Sequence, residues 1–203
     1  YINKNKEVCE MKYYKTIWEV AVMKYGKIGG EELLDENVRI RPLVKKDVAI
    51  LDQYAKQNNE LNINSILFTI PPVHKEEWIE KIICEQTDMI VFIIEDTNSK
   101  EVIGLCQFFN TNWQNRNTEI HVSILNNVFQ ETYYCQKAIQ LLCSFGFYDL
   151  NLHRINSYLV CSDTILKNSY KKCGFQYEGT LKDASSLNGE WFDVIVMGLV
   201  GVK

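Results

Sequence analysis

The chain has 203 residues, 46% of them hydrophobic and 24% charged, a composition that fills one core and excludes a disordered polymer. Its net charge of −4 argues against a nucleic-acid-binding surface and mildly favours cationic partners. No apolar run reaches the roughly 20 residues of a membrane-spanning helix, and no signal peptide opens the sequence, so a cytoplasmic protein away from membranes is expected.

Residues 1–36 stand apart from the rest. Tyr13, Ile17, Val20 and Ala21 recur at helical spacing within MKYYKTIWEVAVMKYG, so this extension reads as helical, with Gly26, Gly29 and Gly30 breaking it. Apolar helix stripes usually pack on a core, which favours a helix laid on the domain over a partner or dimer contact. One domain then covers 37–203. NVRIR at 37–41 alternates as a short strand closed by Pro42. Asp47–Gln57 and Lys75–Cys84 are expected helices, separated by a mixed loop from Leu61 that ends in Pro71 and Pro72. Met89–Glu95 and Glu101–Phe109 form an expected hairpin across the turn-rich DTNSK. Asn110–Asn117 reads as a polar loop.

The stretch from Glu119 to Phe175 organises the chain. TEIHVSIL is a strand, NNVFQETYYCQKAIQLLCSFGFYDL a turn and long helix, HRINSYLV a second strand, and DTILKNSYKKCGF a shorter helix. Two apolar strands around such a helix form a parallel βαβ unit. Ligands of these units sit at the strand-to-helix turn, where free N–H groups of the helix N-terminus attract phosphate. Gln176–Lys182, a further loop and a last strand Trp191–Val200 complete the chain. The expected class is α/β (α+β): a mixed, mostly antiparallel sheet with a central parallel βαβ pair and helices on both faces. It is not doubly wound, because helices do not alternate with every strand.

Seven cysteines without a Cys-x-x-Cys pair, with Cys135, Cys143 and Cys173 in helical patterns, read as reduced thiols. His74, His121 and His153 lack ligand spacing, so no metal is expected.

HRINSYLVCSDTILKNSYKKCGFQYEGTLKD followed by NGEWFDVIVMGLV resembles the C-terminal half of GNAT-superfamily N-acetyltransferases, closest to the ribosomal-protein-alanine and spermidine branch. The resemblance runs from Val38 to Val200 and is strongest from Leu150 onward. Its most specific block is Tyr170–Phe175 with Glu178 and Gly179 behind it. It implies the GNAT fold, acetyl-CoA as donor, and a primary amine as acceptor: a small amine, an amino sugar or a protein N-terminus. It also implies acetyl-CoA contacts at Ile124 and Leu125, along the turn Gln130, Glu131, Thr132, Tyr133, Tyr134 and Cys135, and at Asp163. The family's pyrophosphate loop reads Gln/Arg-x-x-Gly-x-Gly/Ala, usually with a further glycine after its first residue. Gln130 fits and Cys135 is small. Glu131 and Tyr133 stand where glycines would let the backbone approach the phosphates. A shifted loop, weaker CoA binding and a relative without turnover are the three readings. A one-residue excess between Ile124 and Ala138 favours a rearranged loop.

The resemblance also assigns chemistry. Tyr170 matches the tyrosine beside the CoA sulfur, where a phenol of pKa about 10 returns a proton to the leaving thiolate; its alternative is a core tyrosine. Glu119, His121 and Ser123 share one strand face. In the family that strand lines the acceptor cleft, and its N–H groups polarise the thioester carbonyl. Glu119 matches a recurrent glutamate that deprotonates the amine, and His121 is the other base nearby. A surface carboxylate and a core imidazole are the alternatives. Asp163 stands where the family usually has asparagine and is expected to cap its helix. His153 and Arg154 read as structural. A homodimer through the sheet edge or last strand is compatible with such a fold. The competing function is a catalytically degenerate binding or interaction protein, which the loop departures favour and Tyr170 and Glu119 oppose. The acceptor itself is hidden, because the Leu61–His74 and Asn110–Asn117 loops that would shape its site are variable elements.

Overall fold

The computed structural model describes residues 33–43, 46–47, 49–50, 90–125, 129, 132–187 and 189–201. The expected N-terminal helix, the helix at 75–84, the loop at 61–72, His74, Gln130 and Glu131 lie outside the described residues. Strands β1 (Leu33–Leu34), β2 (Val38–Pro42), β3 (Ile90–Asp96), β4 (Val102–Asn112), β5 (Asn117–Ile124), β6 (Arg154–Val160), β7 (Gln176–Leu187) and β8 (Glu190–Val200) form one sheet. Their order is β1-β2-β3-β4-β5-β6-β8-β7. Every neighbouring pair is antiparallel except β5 and β6, which are parallel. Helix α1 (Thr132–Ser144) crosses between them and ends in a π-helical turn, Phe145–Asp149. Helix α2 (Thr164–Lys172) joins β6 to β7.

Strand alternation gives the sheet two different faces. One carries Val38, Ile40, Phe92, Ile94, Cys106, Phe108, Ile120, Val122, Ile155 and Leu159, packed on Ala138, Ile139 and Leu142 of α1 and Leu166 and Tyr170 of α2. Rings of Phe92 and Phe145 meet edge-on at 5.6 Å there. A side chain on Gly146 would press on Ile155, Phe108 and Leu152, with the first contact at 3.0 Å, so the glycine lets the π-helical turn sit close to the sheet without displacing them. The opposite face buries a smaller set, Leu43, Val91, Ile93, Val102, Leu105 and Leu125. Arg41 anchors the start of the next segment on this second face. Its guanidinium forks onto Asp47 at 2.7 and 2.9 Å and onto Glu95 at 2.8 Å, and these carboxylates hold it charged. Residues 47, 49 and 50 are helical, as expected for the start of Asp47–Gln57.

Two expected loops are strand. β4 continues to Asn112 and β5 begins at Asn117, so Asn110–Asn117 shrinks to a turn at 113–116. The polar side chains pair across the ladder: the Thr111 and Thr118 hydroxyls meet at 2.8 Å. The segment after Lys182 likewise continues β7 to Leu187, where Lys182 bonds Asp193 at 2.6 Å across the hairpin. Polarity marked exposure in both places, not loss of strand. Among the described residues no helix is long and apolar enough to cross a membrane.

Candidate functional site

β5 and β6 are in register only where Asn117–Glu119 face Arg154–Asn156. Beyond that point β5 stays on β4 as far as Ile124, and β6 stays on β8 as far as Val160. The two parallel strands therefore diverge, and a V-shaped gap opens inside an otherwise continuous sheet. Backbone polarity along β5 follows from two bonds. The Leu125 N–H donates to the Ile103 carbonyl at 2.8 Å, so odd-numbered residues turn their backbone groups toward β4. The Ile120 carbonyl accepts the Ser157 hydroxyl of β6 at 3.2 Å, so even-numbered residues turn theirs toward the gap. Val122 and Ile124 thus present N–H and C=O groups that no described strand pairs, an edge to which an extended amide chain can add.

Tyr170 lies at the apex of this gap, on the helix-covered face. The Asp163 carboxylate starts its helix by accepting the Leu166 N–H at 2.9 Å, the capping role expected of it. The Tyr170 ring stands edge-on to Phe175 at 4.9 Å. It is fully buried, and its hydroxyl has no hydrogen-bond partner. Burial pushes its pKa well above the ordinary phenol value, an effect the neighbouring Ser157 hydroxyl tempers without reaching bonding geometry. A buried O–H with no acceptor is a rare arrangement, and it suits a group that donates to an anion formed beside it.

Glu119, His121 and Ser123 share the opposite face, as their spacing predicts. Glu119 sits on the last closed rung, opposite Asn156, half-buried, and accepts the Asn110 side-chain N–H at 3.2 Å. His121 is 5% exposed, and burial lowers its pKa to about 4. Burial thus disfavours the protonated imidazole, which weighs against the general-base role the sequence allowed it. The sheet itself separates Tyr170 from Glu119, and the gap is the passage between them.

The expected donor-binding turn divides in two. Ile124 ends β5 against the core, and Leu125 is buried on the second face. Thr132 is the first residue of α1, whose first turn carries no acidic residue and whose leading N–H groups lack intrahelical acceptors. The residues after it brace the scaffold. Tyr133 accepts the Asn37 side-chain N–H at 3.2 Å, Tyr134 donates to Asp96 at 3.2 Å, and Cys135 is buried in the core with its thiol pushed to about 12. The bulk of Tyr133, standing where the resembling loop has glycine, is thus drawn toward the β1–β2 turn. Lys137 reinforces this by pairing with Asp35 at 2.9 Å.

Two contributors escaped the sequence: Ser157 at the apex, and Gln107, which stands opposite His121 across β4 and β5. A lone polar residue inside the apolar run IGLCQFF was the available sign of Gln107. His153 is exposed at the foot of β6, while Arg154 bonds Asn156 at 2.7 Å and pairs with Glu178, the structural role expected of it.

Comparison with known proteins agrees with this geometry. The family model described as an acetyltransferase (GNAT) domain matches residues 40–196. The spermidine N(1)-acetyltransferase of Vibrio cholerae serotype O1 is 27% identical over 173 residues, covering 84% of this chain and 96% of the relative. That of Escherichia coli K12 is 26% identical over 166 residues, covering 79% and 84%. The crystal structure of a Vibrio cholerae spermidine N-acetyltransferase with CoA and spermine superposes with a TM-score of 0.70 at 24% identity, covering 82% of this chain and 96% of that one. A dodecameric form of the Vibrio cholerae protein gives 0.69 at 25% identity, covering 82% and 95%.

Proposed function

The chain belongs to the GNAT acetyltransferase family, and on that premise we propose that it is an N-acetyltransferase moving an acetyl group from acetyl-CoA to a primary amine. The observation that carries the reading is the β5–β6 gap, with the partnerless Tyr170 hydroxyl at its apex. The pantetheine amides of the donor add to the Val122 and Ile124 edge, and its phosphates lie at the N-terminus of α1. The thioester then reaches the apex, with the amine entering from the Glu119 face. Glu119 accepts the amine proton, directly or through water. The nitrogen attacks the thioester carbon, and the carbon–sulfur bond breaks. The departing thiolate takes the Tyr170 proton, and solvent restores it. Holding both reactants at one apex supplies much of the acceleration. The acceptor class is a small amine, an amino sugar or a protein N-terminus.

The test is acetyl-CoA binding by calorimetry, followed by thiol release with a panel of amines. Saturable binding and amine-dependent thiol release are expected. No binding at millimolar acetyl-CoA would overturn the reading. Binding without thiol release from any amine would favour the second reading, a GNAT-fold binding protein, which rests on Glu131 and Tyr133 replacing loop glycines.

A further inference from the structure

Gln107, His121 and Ser123 form a row of buried polar side chains on the acceptor face of the sheet. They are 2%, 5% and 3% exposed. Gln107 stands directly opposite His121 in the β4–β5 register, and Ser123 follows His121 on the same face. Cross-strand neighbours of this kind have Cβ atoms about 5 Å apart. The Gln107 Oε1, the His121 Nε2 and the Ser123 Oγ all lack a hydrogen-bond partner. One such orphan is uncommon in a folded protein. Three side by side, in strands otherwise closely packed, are not explained by the fold, because each costs free energy that an apolar residue would not.

The row begins two residues along β5 from Glu119, about 6.6 Å up the strand. Among the described residues, few charges lie near it. β4 carries no ionisable carboxylate or cation, and β5 carries Glu119 alone. The described charged cluster of the face, Arg39 and Arg41 with Asp47 and Glu95, is paired within itself. Burial keeps the imidazole uncharged at neutral pH. Amide, imidazole and hydroxyl together accept and donate hydrogen bonds, and none offers a countercharge. A second ammonium buried there would lose its hydration without compensation.

We infer that Gln107, His121 and Ser123 form an acceptor subsite for an uncharged hydrogen-bonding group, a hydroxyl or amide, carried about 6–7 Å from the reacting nitrogen. The acceptor is then an amino alcohol, amino sugar or amide-bearing amine. The three are specificity determinants: Glu119 and Tyr170 handle protons, and the row selects what lies beyond the amine. The inference rests on the acetyl-transfer reading and narrows its substrate class.

Three amines with the same four-carbon chain separate the possibilities: 4-aminobutan-1-ol, putrescine and butylamine, ending in a hydroxyl, an ammonium and a methyl group. For the wild-type protein with acetyl-CoA, kcat/KM for the amino alcohol should exceed both others by on the order of tenfold. Gln107→Leu and His121→Phe should each collapse that preference, read as the ratio of kcat/KM for the amino alcohol to that for butylamine. Equal use of the three, a preference for putrescine, or a preference that survives both substitutions overturns the subsite and leaves acetyl transfer standing. If no amine is acetylated, the transfer reading fails separately. Calorimetric titration of the same amines into CoA-loaded protein then decides the subsite: tighter amino-alcohol binding upholds it, and equal binding overturns it.

Discussion

His121 should make the protein acid-sensitive, and the size of the effect follows from its burial. The folded state holds its pKa at about 4, against an ordinary 6.5. Between those values the unfolded chain binds a proton that the folded protein refuses, so stability falls as pH falls. Above 6.5 the effect vanishes; below 4 it is complete, at about 3 kcal/mol for this shift. At pH 5 it should be about 2 kcal/mol. Other groups titrate in the same range, with Asp96 and Asp193 held low by their hydrogen bonds, so the measurement must be a difference. Urea unfolding by tryptophan fluorescence, from pH 7.5 to 4.5, should be compared between wild type and His121→Gln. The neutral amide cannot titrate. Whatever the substitution costs at pH 7.5, the wild type should lose about 2 kcal/mol relative to the variant by pH 5. Parallel stability curves over that range would mean His121 is protonated in the folded protein, and its exclusion as a charged group would be wrong.

Tyr170→Phe should lower kcat by about 10²–10⁴-fold while acetyl-CoA affinity and melting temperature hold, because the lost hydroxyl has no partner in the fold; a normal rate at every pH would remove Tyr170 from the mechanism. Asp163→Ala should cost about 1 kcal/mol in chemical denaturation through the lost cap, and Asp163→Asn only a few tenths. Gly198→Ala should cost no more than about 1 kcal/mol, since its methyl meets only the far ends of the Arg154 and Glu178 side chains, which can swing aside at the expense of their ion pair. Adding Arg154→Ala should recover part of that loss; no recovery would place the strain elsewhere.

What the sequence disclosed depended on how far each feature is local. The parallel pair was legible because two apolar strands bracket a long helix, and Tyr170 because its motif is contiguous. Asp163 could be read as a cap from its place before the helix. The divergence of β5 and β6 could not be read, since Ile120–Ile124 and Ser157–Val160 look like ordinary strand and register is a property of both together. Gln107 was overlooked for a related reason: its meaning comes from His121, fourteen residues away in sequence and opposite in the sheet. The two overlooked hairpin extensions followed from equating polarity with loop. The general-base candidacy of His121 came from its residue type alone, and its burial becomes visible only in the sheet.

The divergence also makes the sheet mechanically two plates. One holds β1 to β5, the other β6 to β8, and three rungs of backbone pairing join them. Beneath that seam, α1 packs on β2, β4 and β5, and also on α2, while α2 is tied through Tyr170 to Phe175 at the entrance to β7. The helix pair therefore acts as a splint, with the Cys173 thiol against the Gln136 carbonyl at 3.5 Å among its fastenings. The aperture between the plates is set from below, by how α1 packs on α2. Changes of volume along the α1–α2 contact should consequently register first as altered turnover, through the angle of the plates, before they register as unfolding.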